Sequence, residues 1–514
     1  MRDLRQYGVR GLPALAAFLC AVSMLVVLPL IFRDAFFDIN RVKVDWVCVV
    51  VPVLALSSLV CCCAARQRLP RDAGAWGILL SMALFLLACV LSAARQGFSE
   101  AVLRGSQGRG CGLVFLLCCG AAVLAIAAGQ LRGRVLSWLI GIASGCVALL
   151  GVLNALGIDP LHFYAGIAPG QEKLFYSTIG NLDFFGGYVA MLLPVTAVWF
   201  VVSRGWAVRC AALLGTILCE AAIAAAGSDS AFAAAQLGFA VLLLLSGDDW
   251  RRMAGALLLW ALSFAMLPIM QRLLLASVRH RAYTGLFLAL CKQGLAAGAC
   301  ALLVLAAALC LWLEHRGKRA PGRNRLMVCF FAAVAVMLLA VLAAGYRFTV
   351  LEPERELSTL AGFLRFDDSW GTRRGFVYRC AMRVLADYSP ADWLLGRGVD
   401  CTRAILTPYF DNPDMLRYGV FNDAHCQVLQ YLLTIGLPGA LSLLACHVLA
   451  LRACWRRANQ DPLLAGICAS LSAYTVVALV SVAQPILMAT YLSVVAVAVS
   501  RMLHLAAQEG HHES

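Results

Sequence analysis

The sequence predicts an all-α protein that crosses a membrane many times, with about 14 transmembrane helices and one long extracytoplasmic loop that contains short helices. Composition is the first observation behind this prediction, because the 514 residues are 62% hydrophobic and 14% charged, with a mean hydropathy of +0.82. This apolar content exceeds what the core of a water-soluble protein requires. The second observation is a recurrence of apolar runs of roughly 20 residues, the length that crosses about 30 Å of hydrocarbon. Because unpaired backbone groups are costly in lipid, we expect these runs to be helices.

Fourteen apolar runs are long enough to span, and polar loops separate them. They lie near residues 11–32, 44–65, 74–94, 111–129, 135–156, 184–202, 207–226, 229–246, 252–270, 294–313, 326–346, 427–450, 462–483 and 485–504. We expect an N-terminal transmembrane bundle of about 11 helices (1–346), an extracytoplasmic loop domain (347–424, the long loop) and about three C-terminal transmembrane helices with a cytoplasmic tail (425–514).

The positive charges predict the orientation of the spans. Of the 42 Lys and Arg residues, 21 fall on the side that carries both termini, and ten of the other 21 belong to the long loop. The short loops therefore compare as 21 against 11. Because Lys and Arg in short loops favour the cytoplasmic side, both termini are expected in the cytoplasm. No basic block is interleaved with aromatic residues, so the net charge of +14 does not indicate nucleic-acid binding.

Most of the 22 cysteines lie inside apolar runs and read as small hydrophobic residues. Only Cys401 and Cys426 sit in or beside a polar segment where pairing is plausible, and the sequence leaves open whether they meet.

The long loop breaks the hydrophobic pattern for 78 residues. A connection of this length is usually functional or disordered, and the many aromatic residues here argue against disorder. Five apolar residues recur at helical spacing in GFVYRCAMRVLADY, namely Phe376, Val377, Cys380, Ala381 and Val384. The sequence therefore predicts a helix within the loop.

A histidine opens the twelfth span, in the stretch DAHCQVLQYLLTIGLPG. Asn422 or Asp423 can cap the helix, which places His425 in its first turn. There the helix dipole disfavours the imidazolium and keeps the ring neutral, as a general base requires. The alternative is an interfacial histidine that only hydrogen-bonds a loop. Gly436, Pro438 and Gly439 predict a kink or a close-packing site further along.

Arginines of the long loop are candidates for holding a diphosphate, because a guanidinium offers planar bidentate donation. The candidates are Arg373, Arg374, Arg379, Arg383 and Arg397. For each of them the alternative is a solvated helix face, or a pair with Asp367, Asp368 or Asp387.

A third polar stretch, EKLFYSTIGNLDFFGG, leads into the sixth span. Thr178 and Asn181 are candidate substrate-binding residues at the outer interface, or they do no more than cap that helix. Glu220 and Asp229 are ionisable groups at or within the membrane, where such groups are functional candidates or form structural pairs with basic residues.

Several motifs are missing, including Walker, Gly-rich nucleotide, HExxH and paired CxxC sequences, so ATP-driven transport and metal hydrolysis are not indicated. We expect no metal and no cofactor. Because the polar groups converge on the outer face, a group transfer there requires an activated donor attached to a lipid.

The chain resembles the O-antigen ligase and O-antigen polymerase superfamily of bacterial membrane glycosyltransferases in four motifs. These are the STIGN segment before a span, the R-x-x-x-aromatic pattern in a long outer loop, the G-x-G turn that follows it, and the His followed by L-x-x-G-x-x-G. The motif similarity covers residues 174–194 and 371–440. Two departures are Cys426, where the family often has Asn, and Ser228-Asp229-Ser230, where the family's S-R-G arginine is missing.

The resemblance implies a metal-independent enzyme of the bacterial cytoplasmic membrane that moves a glycan from an undecaprenyl diphosphate carrier to a glycan or lipid acceptor. By motif position it implies that His425 and Arg374 are the catalytic residues, with Tyr378 in the aromatic place. His425 would be the general base, and the loop arginines would hold the diphosphate. The alternatives are a transporter or permease of a small solute or lipid, with Glu220 and Asp229 on its pathway, and a non-catalytic scaffold.

Overall fold

A computed structural model describes residues 11–106, 109–278, 281–292, 294–355, 357, 362–419, 421–481 and 484–512. The first half of the chain is a series of long apolar helices. They are α1 (Leu12–Leu30), α2 (Ile39–Ala64), α3 (Ala73–Arg95), the short α4 (Glu100–Arg104), α5 (Leu113–Ala128), α6 (Gly133–Ala155), α7 (Leu182–Val202), α8 (Trp206–Ala226), α9 (Asp229–Leu245) and α10 (Trp250–Ala276). A two-residue hairpin, β1 (Phe175–Tyr176) with β2 (Gly180–Asn181), leads into α7.

The second half adds two kinds of helix. The long ones are α12 (Leu295–His315), α13 (Arg323–Leu351), α18 (Gln427–Arg457), α19 (Pro462–Val480) and α20 (Pro485–His512), and the short ones are α11 (Gly285–Lys292), α14 (Trp370–Ala386), α15 (Pro390–Leu395), α16 (Thr402–Leu406) and α17 (Asn412–Tyr418).

Twelve of the described helices are long and apolar enough to cross a membrane, and α5 and α9 are shorter apolar helices. Each predicted run coincides with one of these helices, so the prediction of a polytopic all-α membrane protein is confirmed.

Burial divides the bundle into a centre and a periphery. The apolar stretch of α20 is 94% buried and that of α7 is 78% buried, whereas the equivalent stretch of α13 has no buried residue. Since α13 is also the most hydropathic of the long helices, its surface suits contact with lipid along most of its length.

The predicted helix of the long loop is confirmed as α14, and all five residues at the predicted spacing are buried. Their apolar cluster also takes in residues from α16 and the first turns of α18, so the loop packs as a folded unit on the end of the bundle.

Backbone contacts fasten the long loop to α18 where that helix breaks. Gly436 has φ 74° and ψ −179°, a break in the helical backbone. The carbonyls of Leu433 and Thr434 accept hydrogen bonds from the N–H groups of Arg397 (3.1 Å) and Gly398 (3.0 Å). A Cβ at Gly396 would lie 2.3 Å from the Thr434 carbonyl, so the close approach requires glycine there. The kink and the close packing expected near Gly436 both occur.

All 22 cysteines lie within the described residues and are free thiols, so Cys401 and Cys426 do not pair.

Candidate functional site

The start of α18 differs from the prediction. The helix begins at Gln427 with Cys426 as its N-cap, and His425 precedes that cap instead of lying in the first turn. The prediction that Asn422 or Asp423 caps the helix is therefore wrong. The physical reason is tertiary, because the Asp423 carboxylate pairs with Arg109 and also accepts the N–H of His425 (2.5 Å).

His425 is held by its backbone and by one ring contact. Its φ is 50°, in the left-handed region, and its carbonyl accepts a hydrogen bond from the Tyr378 hydroxyl (3.1 Å). The ring of Phe421 packs edge-on, with the centroids 5.9 Å apart. The Nδ1 atom is buried and has no hydrogen-bond partner among the described residues. One ring nitrogen is therefore left for a ligand.

Burial and the charged groups of four described residues act on the pKa of the His425 imidazole. Burial lowers its pKa most, and the charges of Arg374 and Arg109 lower it further. Asp423 and Asp183 act in the opposite direction without reversing the shift. Burial and the neighbouring cations therefore keep the ring neutral at pH 7.

Arg374 lies in this electrostatic neighbourhood, at the end of α14 where the backbone turns. Gly371, Thr372 and Arg373 have positive φ, which separates Trp370 from the regular part of the helix. Arg374 is half-buried, and its Nη1 donates to the Gly371 carbonyl (2.8 Å). Its Nε is buried without a partner in the described part of the chain. An unused donor of this kind suits an anionic ligand.

Two carboxylates from other helices complete the surroundings. Asp183, in the first turn of α7, accepts the Ser228 hydroxyl (2.5 Å), and Asn181 caps that helix by accepting the Asp183 N–H (2.9 Å). Asp229, the first residue of α9, interacts electrostatically with Asp183 and Arg374. The polar stretch before the sixth span, the start of α9 and the long loop therefore meet at one end of the bundle.

The other predicted residues make contacts of their own. The Thr178 hydroxyl is buried and donates to the Pro29 carbonyl (2.6 Å). Arg373 is exposed and donates to the Tyr418 carbonyl (2.9 Å), and Arg379 pairs with Asp368 (2.7 Å). Arg397 pairs with Asp392 (3.3 Å) and stacks on Tyr388. None of these contacts involves His425.

Sequence reasoning missed Arg109 and Arg281. Arg109 is 5% exposed, and its Nη1 donates to the Asn422 carbonyl (2.7 Å) beside its pair with Asp423. Arg281 donates to the Tyr176 hydroxyl (2.9 Å) and to the carbonyls that end α8. Both arginines lie in loops on the predicted outer side, where the short loops carry fewer Lys and Arg residues. This unusual placement was the only feature of the sequence that could have singled them out.

Within the described residues, no group of three or more His, Cys, Asp or Glu side chains is placed to hold a metal ion.

Comparison with known families gives one match and one negative result. Residues 283–444 match the family model described as O-antigen ligase. The matched segment is about a third of the chain and includes Arg374, the long loop and His425. No curated protein matches the chain. The chain therefore carries an O-antigen ligase domain within a multi-pass protein of the bacterial inner membrane.

Proposed function

We propose that this protein transfers a glycan from an undecaprenyl diphosphate carrier to the hydroxyl of a glycan or lipid acceptor, at the outer face of the membrane and with both termini in the cytoplasm. The proposal rests on two buried nitrogen atoms, His425 Nδ1 and Arg374 Nε, which have no hydrogen-bond partner among the described residues. The two side chains also interact electrostatically.

His425 acts as the general base. A neutral imidazole with its proton on Nε2 presents a lone pair at Nδ1, which takes the proton from the acceptor hydroxyl as its oxygen attacks the anomeric carbon. The bond from that carbon to the diphosphate oxygen breaks, and the electron pair leaves with the lipid diphosphate. The imidazolium then gives its proton to water, which restores the base.

Arg374 stabilises the departing diphosphate. The buried Nε–H gains a hydrogen-bond partner when the anion arrives, and negative charge on the leaving group is stabilised where water is largely excluded. No metal is required for this step, because the guanidinium supplies the positive charge. We propose that Arg373, Arg379 and Arg397 support the long loop through their own contacts, and that Thr178 and Asn181 support the polar stretch before α7 through theirs.

Incubation of the purified protein with a lipid-diphosphate oligosaccharide and an acceptor tests the proposal directly. We expect longer chains or a new conjugate with the wild type, and at least about a hundredfold loss with His425→Ala. His315→Ala, an exposed histidine at the end of α12, is the matched control and should retain full activity. Undiminished transfer by His425→Ala would reject the mechanism.

One observation favours a permease as the second candidate. Glu220 in α8 is 1% exposed, and its Oε1 has no partner among the described residues. An unpaired intramembrane carboxyl is a feature of ion and solute pathways. This function predicts that Glu220→Gln blocks solute flux in proteoliposomes, while the transferase predicts that the substitution leaves glycan transfer intact.

A further inference from the structure

The loop between α4 and α5 reaches into the candidate site from a distant part of the sequence. Asp400 anchors it, because one carboxylate oxygen accepts the N–H groups of Ser106 (3.0 Å) and Cys111 (3.2 Å). The Ser106 hydroxyl donates in return to the Asp400 carbonyl (3.0 Å). A Cβ at Gly105 would lie 2.5 Å from the Asp400 carboxylate, so the loop and the 400 region are in close contact.

Arg109 extends from this loop to the residues just before His425. Its guanidinium bonds the Asn422 carbonyl and the Asp423 carboxylate, and both partners of the ion pair are almost completely buried. The other carboxylate oxygen of Asp423 accepts the His425 N–H at 2.5 Å. A continuous chain of polar contacts therefore runs from Arg109 through Asp423 to the backbone of His425.

Stability alone is a weak reason for such a pair. Removing two charges from water costs much of what their attraction returns, and apolar side chains of similar volume often stabilise a fold as well or better. The pair instead does something that apolar side chains cannot do, because Asp423 holds the N–H of a residue in the sparsely populated left-handed region.

We infer that Arg109 is a positioning residue that acts through Asp423 to fix the His425 imidazole for proton transfer. The inference rests on the proposed function of His425 as general base. Arg109 is not itself placed on the reacting atoms.

The charges around His425 make the inference testable by pH. The charged groups that act on the imidazole are Asp423 and Asp183, which raise its pKa, and Arg374 and Arg109, which lower it. Arg109→Gln removes a cation and leaves Asp423 uncompensated, so the pKa of His425 rises. Asp423→Asn removes an anion beside the ring, so that pKa falls. A general base works when neutral, so the rate falls at low pH, where His425 becomes protonated. This low-pH side of the pH–rate profile, the acid limb, therefore moves to higher pH in Arg109→Gln and to lower pH in Asp423→Asn.

The experiment measures glycan transfer against pH with the full-length protein and a lipid-diphosphate oligosaccharide. We expect Arg109→Gln to lose at least about tenfold of the rate at neutral pH, because small displacements of a catalytic group are costly. Arg109→Lys keeps the charge, and its acid limb should stay near that of the wild type with partial recovery of the rate. If the ion pair had a structural role alone, Arg109→Gln and Asp423→Asn, the two neutral variants, would both have lower rates, but their acid limbs would not move in opposite directions.

Unmoved acid limbs in both neutral variants, or a wild-type rate in Arg109→Gln, would overturn the inference. If Arg109→Gln does not fold, the acid limb of Asp423→Asn decides alone, and no downward shift overturns it. The proposed function fails separately, through full activity in His425→Ala. Loss of transfer in His425→Ala with wild-type behaviour in the Arg109 and Asp423 variants refutes the positioning role only.

Discussion

Arg374 and Arg397 stand in the same loop, are both half-buried, and were both candidates for holding a diphosphate, yet the fold gives them different surroundings. Arg374 acts on His425 and keeps a buried Nε without a partner in the described structure. Arg397 donates to Asp392 and to the Asp387 carbonyl, and its guanidinium lies 4.5 Å from the centre of the Tyr388 ring.

The carboxylate that holds Arg397 is itself fully engaged. Burial alone would raise the pKa of Asp392, but hydrogen bonds from Arg397 and Ser389, and one from Arg95, outweigh burial and hold that pKa below its ordinary value. A second arginine, Arg95, pairs with the same carboxylate at 2.9 Å. The difference teaches that two arginines of equal charge are told apart by their hydrogen-bond partners, because only Arg374 of the two keeps a buried donor without a partner in the described structure.

The largest effect is expected at Arg374. Arg374→Ala should lower glycan transfer by roughly 100- to 1000-fold, the usual cost of removing one donor to a developing charge. The melting temperature should change little, because within the described residues the side-chain hydrogen bond of Arg374 is made to its own turn, at the Gly371 carbonyl. Transfer assays and thermal melts of the same preparation check both parts, and near-normal transfer would remove the contrast with Arg397.

The pH dependence of transfer gives the next largest effect. Because the pKa of His425 is lowered from its ordinary 6.5, the neutral form dominates above about pH 6.5, and transfer should fall about tenfold per pH unit below the His425 pKa. Arg374→Gln removes a cation that lowers this pKa, so its acid limb should move to higher pH. Arg397→Gln should leave the limb in place, and equal shifts in both variants would contradict the assignment.

Arg397→Ala should act on stability. Its pair with Asp392 is partly buried, so we expect a loss of about 1–2 kcal/mol in the free energy of unfolding, discounted for the exposed part of the guanidinium. Transfer by the molecules that remain folded should stay within about threefold of the wild type, because the side chain is not in contact with His425. Asp392→Asn is the matched variant, and a specific loss of transfer without a loss of stability would place Arg397 in the site after all.

The smallest effect is expected at Arg379, which is exposed and pairs with Asp368 on the loop surface. Exposed pairs of this type contribute about 0–1 kcal/mol. Arg379→Ala should therefore change transfer by less than about twofold and leave the melting curve nearly unchanged. A large loss of transfer would mean that the surface around Arg379 binds substrate.

The helical fold could be predicted from local information, because a run of apolar residues specifies a span without reference to other parts of the chain. The helix α14 was equally accessible, since Phe376 and its four companions mark one face by spacing alone. The start of α18 could not be predicted, because the residue expected to cap it is bound by an arginine 314 positions away.

The candidate site likewise has a part that the sequence predicts and a part that only the fold reveals. His425 and Arg374 are identifiable from their place in the sequence, and the family match includes both. The separation of Arg374 from Arg373, Arg379 and Arg397 depends on partners such as Tyr418, Asp368 and Asp392, which only the folded chain reveals. Arg109 has no motif of its own, and the role inferred for it comes from its ion pair with Asp423.

The break at Gly436 has a geometrical consequence for the segment that precedes it. Nine helical residues, Gln427 to Ile435, separate the N-cap Cys426 from the break at Gly436. The carbonyls that accept from Arg397 and Gly398 belong to the last turn of this segment. At 1.5 Å per residue, the segment forms a spacer of roughly 13 Å. Adding or deleting one residue there would turn His425 by about 100° around the helix axis relative to the loop. The length of this spacer is thus as much a part of the site as the residues at its tip.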